Sequence, residues 1–461
     1  MKNRLVALSE QEIELVHERT VRILEETGVC VKSARAREAL IRAGAISGED
    51  EIIKIPRDLL MKSIDMAPKS FVLGARNPKY DLKLPSDIPM HTMDGIKTNI
   101  KDIETGEARE STKSDVTVLG RVFQALETGA VAWNGCTAMD KPAETHSLHE
   151  FAAMLEGTSK HIQTELSHVG ESPYAIEILR VVLGSDEAIR DRKIISLLYC
   201  PISPLSHDDG IMDAYLNLTE LDVPVCAYPM PIIGLTSPAS VFSSLCQINA
   251  ETLSALVIFQ AVKPGLPVIY GCCSGSMDPA TGNYVDAPET MLLSMGAVAM
   301  ARHYGLPCEV RGADIDTVPT YLAGPDLVQG LGTTHDMTFV PELMVIHDEI
   351  AKKAYRVMDG IDTSDDKDLT DDIMARGPQG SFISCRSTVR LTRDWKENYN
   401  STVFSKKILD SSTAENPMWD IAHAYVRELL AGPVEDPLEP DVIEKITEIC
   451  NRADSELAGR K

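Results

Sequence analysis

The middle of the chain alternates short apolar segments, rich in residues that favour β-strands, with longer segments of helical pattern. The apolar segments lie at 130–134, 161–166, 193–199, 223–230, 266–273 and 307–314, with a more polar one at 327–336. Helical patterns between them include 208–222, 238–263 and 287–305. Strands that are apolar on both faces and alternate with helices are typical of a parallel sheet covered by helices.

Seven such units predict an α/β protein with a closed (β/α)₈ barrel, the TIM barrel, whose strands begin near Val131. The pattern does not place the eighth strand, for which 341–347 and 381–385 are the candidates. A doubly wound open sheet is the alternative fold. We favour the barrel because no strand end carries the G-x-G-x-x-G turn that binds dinucleotides in open sheets.

The regions on either side of the barrel have helical patterns. The segment from Ser9 to Gly44 is predicted to form two helices, the first with a capping-box pattern at Ser9 and Glu12 and an end at Gly28, and a further helix begins at Pro56. Two segments near the other terminus, 415–431 and 438–457, are also helical. We interpret 1–112 as an N-terminal cap packed on the barrel, 113–404 as the barrel and 405–461 as a C-terminal helical extension.

Composition limits the classes of partner. The chain has 461 residues and a formal charge of −24, which argues against nucleic acid because its phosphates are bound by Lys and Arg. We find no signal segment and no apolar run of about 18 residues, so we expect a cytoplasmic protein without membrane association. The ten cysteines are scattered, which is typical of reduced thiols in a core.

Four aromatic residues stand at the ends of four predicted strands, where barrel enzymes carry their active sites: Trp133, Tyr199, Tyr228 and Tyr270. Aromatic faces attract a methylated ammonium, which cannot donate a hydrogen bond. The group therefore predicts a cage for a quaternary amine. The alternative is that these are ordinary strand-end residues that pack in the protein.

A polar group follows the later strands and consists of Arg311, Asp314, Asp316, His335, Asp336, His347 and Asp348. Arg311 and His347 are candidates for binding a carboxylate on the substrate, with Asp314 and Asp316 as polar support. Alternatively, an Arg–Asp pair closes a layer of the barrel, and a histidine bonds to the local backbone.

Three cysteines near strand ends, Cys200, Cys272 and Cys273, suggest zinc, which activates homocysteine in some barrel methyltransferases. Adjacent strand residues point to opposite faces, however, so Cys272 and Cys273 are not both expected to face inward. We therefore expect no bound metal.

Long segments of the chain match a known family in the same order. They include LSEQEIELVHERTVRILEETGV, IPRDLLMKSIDMAPKSFVLGARNP, VPVCAYPMPIIGLTSPASVFSSLCQINAETLSALVIFQAVKPGLPVIYG and GSMDPATGNYVDAPETMLLSMGAVAMARHYGLP. Over nearly its full length the chain resembles the trimethylamine methyltransferase family, in the branch without pyrrolysine, and most of all its glycine betaine:corrinoid methyltransferases. The resemblance implies a TIM barrel that passes methyl groups to cobalamin carried by a separate corrinoid protein.

The chain departs from the family pattern at two places. Members often read D-x-K-x-x-D-x-Q where this chain has 314–319, and commonly carry an acidic pair at the position of His347 and Asp348. Because the sequence contains no pyrrolysine, which the trimethylamine enzyme uses, trimethylamine is not the expected substrate. Glycine betaine is favoured, and carnitine, proline betaine and butyrobetaine stay open.

These observations predict a methyltransferase that works by positioning its substrate, without a catalytic acid, base or nucleophile. His347 or, failing it, Arg311 is expected to bind the substrate carboxylate at the bottom of the pocket, below an ammonium held by Tyr228 and Tyr270. A zinc-dependent homocysteine S-methyltransferase and a non-catalytic quaternary-amine binding protein are the alternatives. We also expect a homo-oligomer.

Overall fold

A closed barrel of eight parallel strands forms the centre of the computed structural model, which describes residues 4–312, 318–332, 334, 336–393, 401, 403 and 417–459. The barrel strands are numbered in chain order: β1 Met90–Met93, β2 Gly129–Ala132, β3 His161–Thr164, β4 Ile195–Tyr199, β5 Val225–Ala227, β6 Val268–Cys272, β7 Cys308–Arg311 and β8 Leu327–Leu331. Each strand pairs in parallel with the next, and β8 pairs with β1. The predicted TIM barrel is confirmed, and the open sheet is wrong.

The predicted start of the barrel near Val131 is wrong, because β1 lies inside the segment interpreted as a cap. The boundary at 112 therefore does not separate a cap from the barrel. Of the two candidates for the missing strand, 341–347 is helical and 381–385 forms no strand. Strand β1 reads Met-His-Thr-Met, and its polar side chains face buried polar partners: His91 Nδ1 lies 2.8 Å from Thr128 Oγ1. Such a short polar strand has no apolar run to reveal it.

Helices surround the barrel. In chain order they are α1 Glu10–Arg22, α2 Ala34–Ala43, α3 Arg57–Met66, α4 Lys113–Ala125, α5 His146–Gly157, α6 Ser172–Leu183, α7 Asp186–Arg192, α8 Gly210–Thr219, α9 Val241–Val262, α10 Pro288–Tyr304, α11 Val318–Ala323, α12 Pro341–Asp359, α13 Thr370–Arg376, α14 Arg386–Leu391, α15 Pro417–Ala431 and α16 Pro440–Leu457. Of these, α4, α5, α9, α10 and α12 pack directly on the strands of the barrel. Helix α9 is long and apolar enough to span a membrane, but 83% of its apolar window is buried in the protein. It is a core helix of this fold.

The N-terminal helices pack against the outer face of α9. The capping box at Ser9 is present, since Glu12 N–H donates to Ser9 Oγ and Ser9 N–H to Glu12 Oε2. A buried network joins this region to the barrel, in which Asn249 on α9 donates to Thr20 Oγ1 and to Tyr304 Oη, each at 2.9 Å. A small sheet lies beside it, formed by Ser206–His207, Val29–Val31, Ile52–Lys54 and Ile46–Ser47.

The two ends of the barrel are built differently. A hairpin of Phe71–Leu73 and Leu82–Leu84 lies against the N-terminal ends of β3 and β4, where Gly74 N–H donates to Lys193 O at 3.1 Å. At the C-terminal end the loops form two three-stranded sheets, Ile232–Ile233 with Gly275–Met277 and Tyr284–Val285, and Thr338–Phe339 with Asn99–Lys101 and Ala108–Glu110. The C-terminal helices stay on the outside, α15 on α12 and α16 on α6. The opening at the C-terminal end is called the mouth below.

Candidate active site

Hydrogen bonds between strands that are not neighbours show which side chains face the lumen. Gln163 on β3 donates through Nε2 to Glu309 Oε2 on β7, at 2.8 Å across the barrel. Thr92 on β1 and Cys226 on β5 lie next to Glu309. These residues of the odd-numbered strands are called the floor layer. Side chains alternate along a strand, so the residues two positions later also face the lumen, nearer the mouth. They form the upper layer: Asp94, Glu165, Tyr228 and Arg311.

Tyr228 reaches across the lumen. Its hydroxyl donates to Gln329 Oε1 on β8 at 3.2 Å, and Gln329 Nε2 donates to Asp94 Oδ1 at 2.8 Å. Room for the ring depends on Gly271, where an added Cβ would lie 2.6 Å from Tyr228 Cδ2. The ring and the Asp94 carboxylate thus both line the lumen, and the part of Tyr228 in a cage for a quaternary amine stays a prediction.

Arg311 brings a fixed positive charge to the upper layer. It forms an ion pair with Asp286 at 2.9 Å, and it donates to the hydroxyl of Tyr284 at 2.6 Å, whose ring lies 5.4 Å from the guanidinium carbon. Burial lowers the pKa of Arg311, but the neighbouring Cys273, Tyr284, Asp286 and Asp94 raise it by more. The net pKa is therefore above the usual value, and the guanidinium stays charged. A cleft of about 20 Å³, enough for one water molecule, lies beside it and is lined also by Ser274, Thr290 and Ser294.

Glu165 is a partly exposed carboxyl of the upper layer. No ion pair or side-chain hydrogen bond holds its carboxyl within the described residues. Burial, reinforced by the nearby charge of Glu150, raises the pKa of Glu165 to about 8, while His146 acts in the opposite direction. At neutral pH this carboxyl is therefore mostly protonated, and a cation placed beside it would favour its ionised form.

Trp133 lies at the mouth, one residue beyond β2. Its indole packs on Gly95, where an added Cβ would lie 2.3 Å from the ring. The side chain is only 5% exposed, and its Nε1 has no hydrogen-bond partner in the part of the chain that the structure describes. A buried donor without a partner is unusual in a folded protein and is available to a ligand.

The other two aromatic residues predicted for the cage face away from the lumen. Tyr199 bonds through its hydroxyl to His207 Nδ1 at 2.9 Å and packs edge-on against Phe259 of α9. Tyr270 donates to Asn249 Oδ1 on α9 at 2.8 Å and stacks on Tyr304. Their placement in the cage is wrong, because on β4 and β6 the opposite face of the strand lines the lumen. Both tyrosines bind helices to the barrel wall.

His347 does not lie in the upper layer. It is buried on α12, where its Nδ1 accepts a hydrogen bond from Gly332 N–H at 3.2 Å and its ring bonds to the backbone of Gly330. Burial lowers the pKa of His347 to about 4, so the imidazole is neutral. Both ring contacts fix the bulge of β8, which is the backbone role given above as the alternative.

The remaining polar candidates are structural or fall outside the description. Asp348 accepts hydrogen bonds from Thr128 N–H and Oγ1 and pairs with Lys352 at 2.9 Å. Asp336 accepts from Thr338 N–H within its loop, at 2.9 Å. Asp314, Asp316 and His335 lie outside the described residues.

The three cysteines considered as zinc ligands do not converge. In the pairing of β6 with β7, Gly271 lies opposite Glu309, which faces the lumen, and Cys272 lies opposite Val310. Because neighbouring residues of a strand point to opposite faces, Cys272 faces the helices. Cys200 and Cys273 lie on the lumen side, and burial raises the pKa of both thiols. No group of three His, Cys, Asp or Glu side chains suited to a metal is present in the described ranges. The zinc alternative loses its ligand set.

The floor layer also presents polar atoms to the lumen. Gln163 Oε1, Glu309 Oε1 and Thr92 Oγ1 are buried and lack a geometrically good partner among the described residues. Burial raises the pKa of Glu309, although Gln163, Thr92 and Cys226 beside it lower it. Buried polar atoms are normally paired, so unpaired ones below the mouth indicate ordered water or a ligand in the lumen.

Sequence reasoning missed Asp94, Glu165 and Glu309, and also Tyr284 on the loop hairpin. The sequence did contain a signal for Glu165 in the segment HIQTEL. Gln163 and Glu165 are polar and two residues apart, which is the spacing of side chains on the same face of a strand. Asp94 could not be found in the same way, since β1 itself was not predicted.

Comparison with known proteins decides the family. The sequence matches the family described as trimethylamine methyltransferase over residues 2–317, which is more than half of the chain. This protein belongs to the trimethylamine methyltransferase family. Its relatives there include the trimethylamine methyltransferase of Desulfitobacterium hafniense strain DCB-2, 27% identical over 89% of this chain and 85% of the relative.

Two further relatives of this chain have names that give different substrates. The trimethylamine methyltransferase of Methanosarcina barkeri is 26% identical, over 97% of this chain and 95% of the relative. The glycine betaine methyltransferase of Desulfitobacterium hafniense strain Y51 is 24% identical, over 95% of both chains. The family is thus established, and these similar identities do not separate a tertiary from a quaternary amine as substrate.

Proposed function

We propose that this enzyme transfers a methyl group from a quaternary amine that carries a carboxylate, with glycine betaine as the favoured substrate, to cobalt(I) of a corrinoid protein. The observation that carries the proposal is the upper layer. Glu165 and Asp94, which also pairs with Lys97 at 3.3 Å, provide acidic groups, and Arg311 provides a cation. Tyr228 provides an aromatic ring and follows β5, which lies between β3 with Glu165 and β7 with Arg311 in the barrel order. Opposite charges around an aromatic ring complement a zwitterion.

Each end of such a substrate has a partner in this layer. The faces of Tyr228 and Trp133, with the ionised form of Glu165, attract the methylated ammonium, whose charge is fixed. The Arg311 guanidinium is suited to a carboxylate, to which it can donate two parallel hydrogen bonds. We therefore move the proposed carboxylate contact from His347, whose ring nitrogens bond to backbone, to Arg311.

The residues present fit a methyl acceptor that approaches from the mouth. The upper layer lies at the C-terminal end of the barrel, whereas the hairpin at Gly74 covers the N-terminal end, bonded to His161 Nδ1 at 2.7 Å. When bound, the corrinoid cobalt supplies the nucleophile that takes the methyl group. No side chain of this enzyme binds the cobalt in the proposal.

The protein's own part in the reaction is to position the substrate and keep it dry. Tyr228, Trp133 and Arg311 would hold one methyl group toward the mouth, in line with the nitrogen that it leaves. A quaternary ammonium leaves as a neutral tertiary amine, so the side chains need not deliver a proton during transfer. Since the positive charge disappears in this step, exclusion of water from the upper layer favours it.

The test is a substrate panel with free cob(I)alamin as the methyl acceptor. Methylation of the cobalamin is measured from the change in its visible absorption spectrum. Glycine betaine, carnitine, proline betaine, butyrobetaine, choline and trimethylamine are compared with the purified enzyme. We expect the carboxylated quaternary amines to be fastest, and the identity of the best one assigns the substrate. Trimethylamine turnover as fast as that of glycine betaine would refute the proposal.

A further inference from the structure

The cleft beside Arg311 contains two hydroxyl groups without a hydrogen-bond partner. Ser274, on the loop after β6, is 3% exposed, and Thr320, on α11, is fully buried. Both residues line the cleft, and neither Ser274 Oγ nor Thr320 Oγ1 forms a hydrogen bond within the part of the chain that the structure describes. The thiol of Cys272 lies next to Ser274, but a thiol is only a weak hydrogen-bonding group. Buried hydroxyls normally have a partner, so these two indicate a ligand or an ordered water in the cleft.

A glycine directs one of the two hydroxyls into the cleft. Gly312 follows β7 and lines the cleft, and a Cβ added to it would lie 2.9 Å from Thr320 Oγ1. Helix α11 can therefore approach β7 closely, with the Thr320 hydroxyl toward the cleft. The room of about 20 Å³ suits one water molecule or one oxygen atom of a carboxylate, which is of similar size.

Arg311 alone is a weak anchor for an anion, because its charge is already balanced. It forms an ion pair with Asp286 at 2.9 Å, and the Asp94 carboxylate also lies near it. A substrate carboxylate would be a further negative group beside the same guanidinium. Since a buried charge is costly unless it is paired and hydrogen-bonded, such a carboxylate needs donors in addition to Arg311.

Helix α10 adds a positive potential to the cleft. It begins at Pro288 without a side-chain cap at Ala287, and Thr290 and Met291 of its first turn line the cleft. The N-terminus of a helix carries a partial positive charge that favours an anion. Together with the two unpaired hydroxyls, this end of α10 gives the cleft the donors and the potential of an anion site.

We propose that Ser274 and Thr320 bind one carboxylate oxygen of the substrate in this cleft, and that they determine specificity for a carboxylated amine; this rests on the proposed function. One oxygen takes the place of a water molecule and accepts from both hydroxyls, while Arg311 donates to the other oxygen. An amine without a carboxylate leaves the hydroxyls unpaired. A site built on buried hydrogen-bonding groups discriminates strongly against a ligand that lacks their partner.

The experiment uses Ser274→Ala and Thr320→Val in the full-length enzyme. Each change removes a hydroxyl with little change of shape and leaves Arg311 in place. The matched control is Thr290→Val, because Thr290 lines the same cleft but its hydroxyl already donates to Ala287 O at 2.6 Å. The control ligand is choline, which has the ammonium of glycine betaine but no carboxylate.

The first readout is the Kd for each ligand, by titration calorimetry. We expect Ser274→Ala and Thr320→Val each to raise the Kd for glycine betaine about tenfold, the effect of one hydrogen bond to a charged group. The Kd for choline should stay within about twofold of wild type. The Thr290→Val variant should keep both Kd values within about twofold.

The second readout is the midpoint of denaturant unfolding without ligand. Removal of an unpaired buried hydroxyl should leave the midpoint unchanged or raise it, whereas Thr290→Val should lower it because a formed hydrogen bond is lost. Weaker binding without a loss of stability is the signature of a hydroxyl that serves a ligand. A residue with a structural role would give the opposite combination.

Several outcomes would overturn the proposal. A wild-type Kd for glycine betaine in both variants would assign the cleft to an ordered water alone. Equal weakening of glycine betaine and choline, or an equal loss in Thr290→Val, would mean that the shape of the cleft matters and not its hydroxyls. Failure of the proposed function is a separate result, seen in the wild type itself as no methylation of free cob(I)alamin from any quaternary amine.

Discussion

Two buried groups at the N-terminal end of the barrel lumen, Lys160 and His161, are fully hydrogen-bonded, whereas several polar atoms nearer the mouth are not. At the N-terminal end Lys160 is buried, and its Nζ donates to three carbonyl oxygens: Phe123 at 3.2 Å, Leu126 at 2.6 Å and Gly129 at 2.7 Å. His161 next to it uses both ring nitrogens, on Gly74 O and on Ser196 Oγ. These groups are satisfied within the protein and hold the strands, α4 and the hairpin together.

Nearer the mouth, several buried polar groups have no hydrogen-bond partner among the described residues. Trp133 Nε1, Gln163 Oε1 and Glu309 Oε1 lack hydrogen-bond partners in the described ranges, and Glu165 lacks an ion pair there. An unpaired buried polar atom costs about 1–3 kcal/mol of stability, so a set of them is retained for a reason other than folding. Under the proposed function, the N-terminal end of the lumen maintains the fold and the end at the mouth binds the substrate. The following experiments challenge that division.

The largest expected effect is on stability, from Lys160→Met. Methionine keeps the length of the side chain but removes the donor of three buried carbonyls, so the free energy of unfolding should fall by about 3 kcal/mol. Denaturant unfolding measures the change. Lys79→Met is the control, since Lys79 pairs with Glu435 at an exposed site and should change stability much less. Methyl transfer by the folded Lys160→Met variant should be unchanged, and a selective loss of turnover would contradict the division.

Next in size is the effect of Arg311→Gln on substrate binding. Loss of a charge-assisted hydrogen bond to a carboxylate costs about 1.5–3 kcal/mol, or roughly ten- to a hundredfold in affinity. Titration calorimetry should show this loss for glycine betaine and little loss for choline, which has the same ammonium but no carboxylate. Equal weakening of both ligands would mean that Arg311 acts by holding the hairpin through Asp286 and Tyr284, and not as the anchor.

A smaller effect, dependent on pH, is expected from Glu165. Its pKa is raised to about 8, so the carboxyl is neutral below that pH and ionised above it. A bound ammonium favours the ionised form, so affinity for glycine betaine should rise between pH 6 and 8, by at most about tenfold per pH unit, and level off above. Near pH 7 binding should release part of a proton, seen as different apparent enthalpies in phosphate and Tris.

Two groups near Glu165 complicate the assignment. His146 and Glu150 bond to each other at 2.9 Å, and the pKa of His146 is raised by that contact. The Glu165→Gln variant separates them, because it should bind glycine betaine without the rise between pH 6 and 8. If the rise persists in this variant, the proton belongs to another group and Glu165 does not face the ammonium.

The smallest expected effect comes from Trp133→Phe. Phenylalanine keeps an aromatic face but removes the unpaired Nε1–H, so the free energy of unfolding should change by less than about 1 kcal/mol. Affinity for glycine betaine should fall by about three- to tenfold if Nε1 donates to the substrate. A clear loss of stability without a change in affinity would place Trp133 with the groups that maintain the fold.

The sequence predicted most of the barrel, and the reason is physical. Seven strands are covered by helices outside and side chains inside, so they read as apolar runs of a length typical of strands. Strand β1 escaped because its four residues include His91 and Thr92, whose partners are polar groups of other elements. A strand that buries polar side chains against polar partners cannot be recognised from a hydrophobic pattern.

The same property that revealed the strands concealed the site. In a strand that is apolar on both faces the sequence does not show which face is the lumen, so Tyr199 and Tyr228 look equivalent. Only the register between strands tells them apart: Leu198 pairs with Cys226, which puts Tyr199 on the opposite face from Cys226 and Tyr228. Arg311 could be proposed from the sequence because a charge at the end of an apolar strand is conspicuous. The contacts of His347 could not be predicted, because they are made to the local backbone of Gly330 and Gly332.

The two-residue step between the floor layer and the upper layer has a consequence for how such an enzyme can be redesigned. The floor residues lie within the strands, whereas Asp94, Glu165 and Tyr228 follow strand ends and Arg311 is the last residue of β7. Exchanges at these four positions would alter the shape and charge offered to a methyl donor while strand pairing stays intact. Screening a library varied at these four positions could thus change the substrate specificity of this barrel from a zwitterionic methyl donor to a purely cationic one.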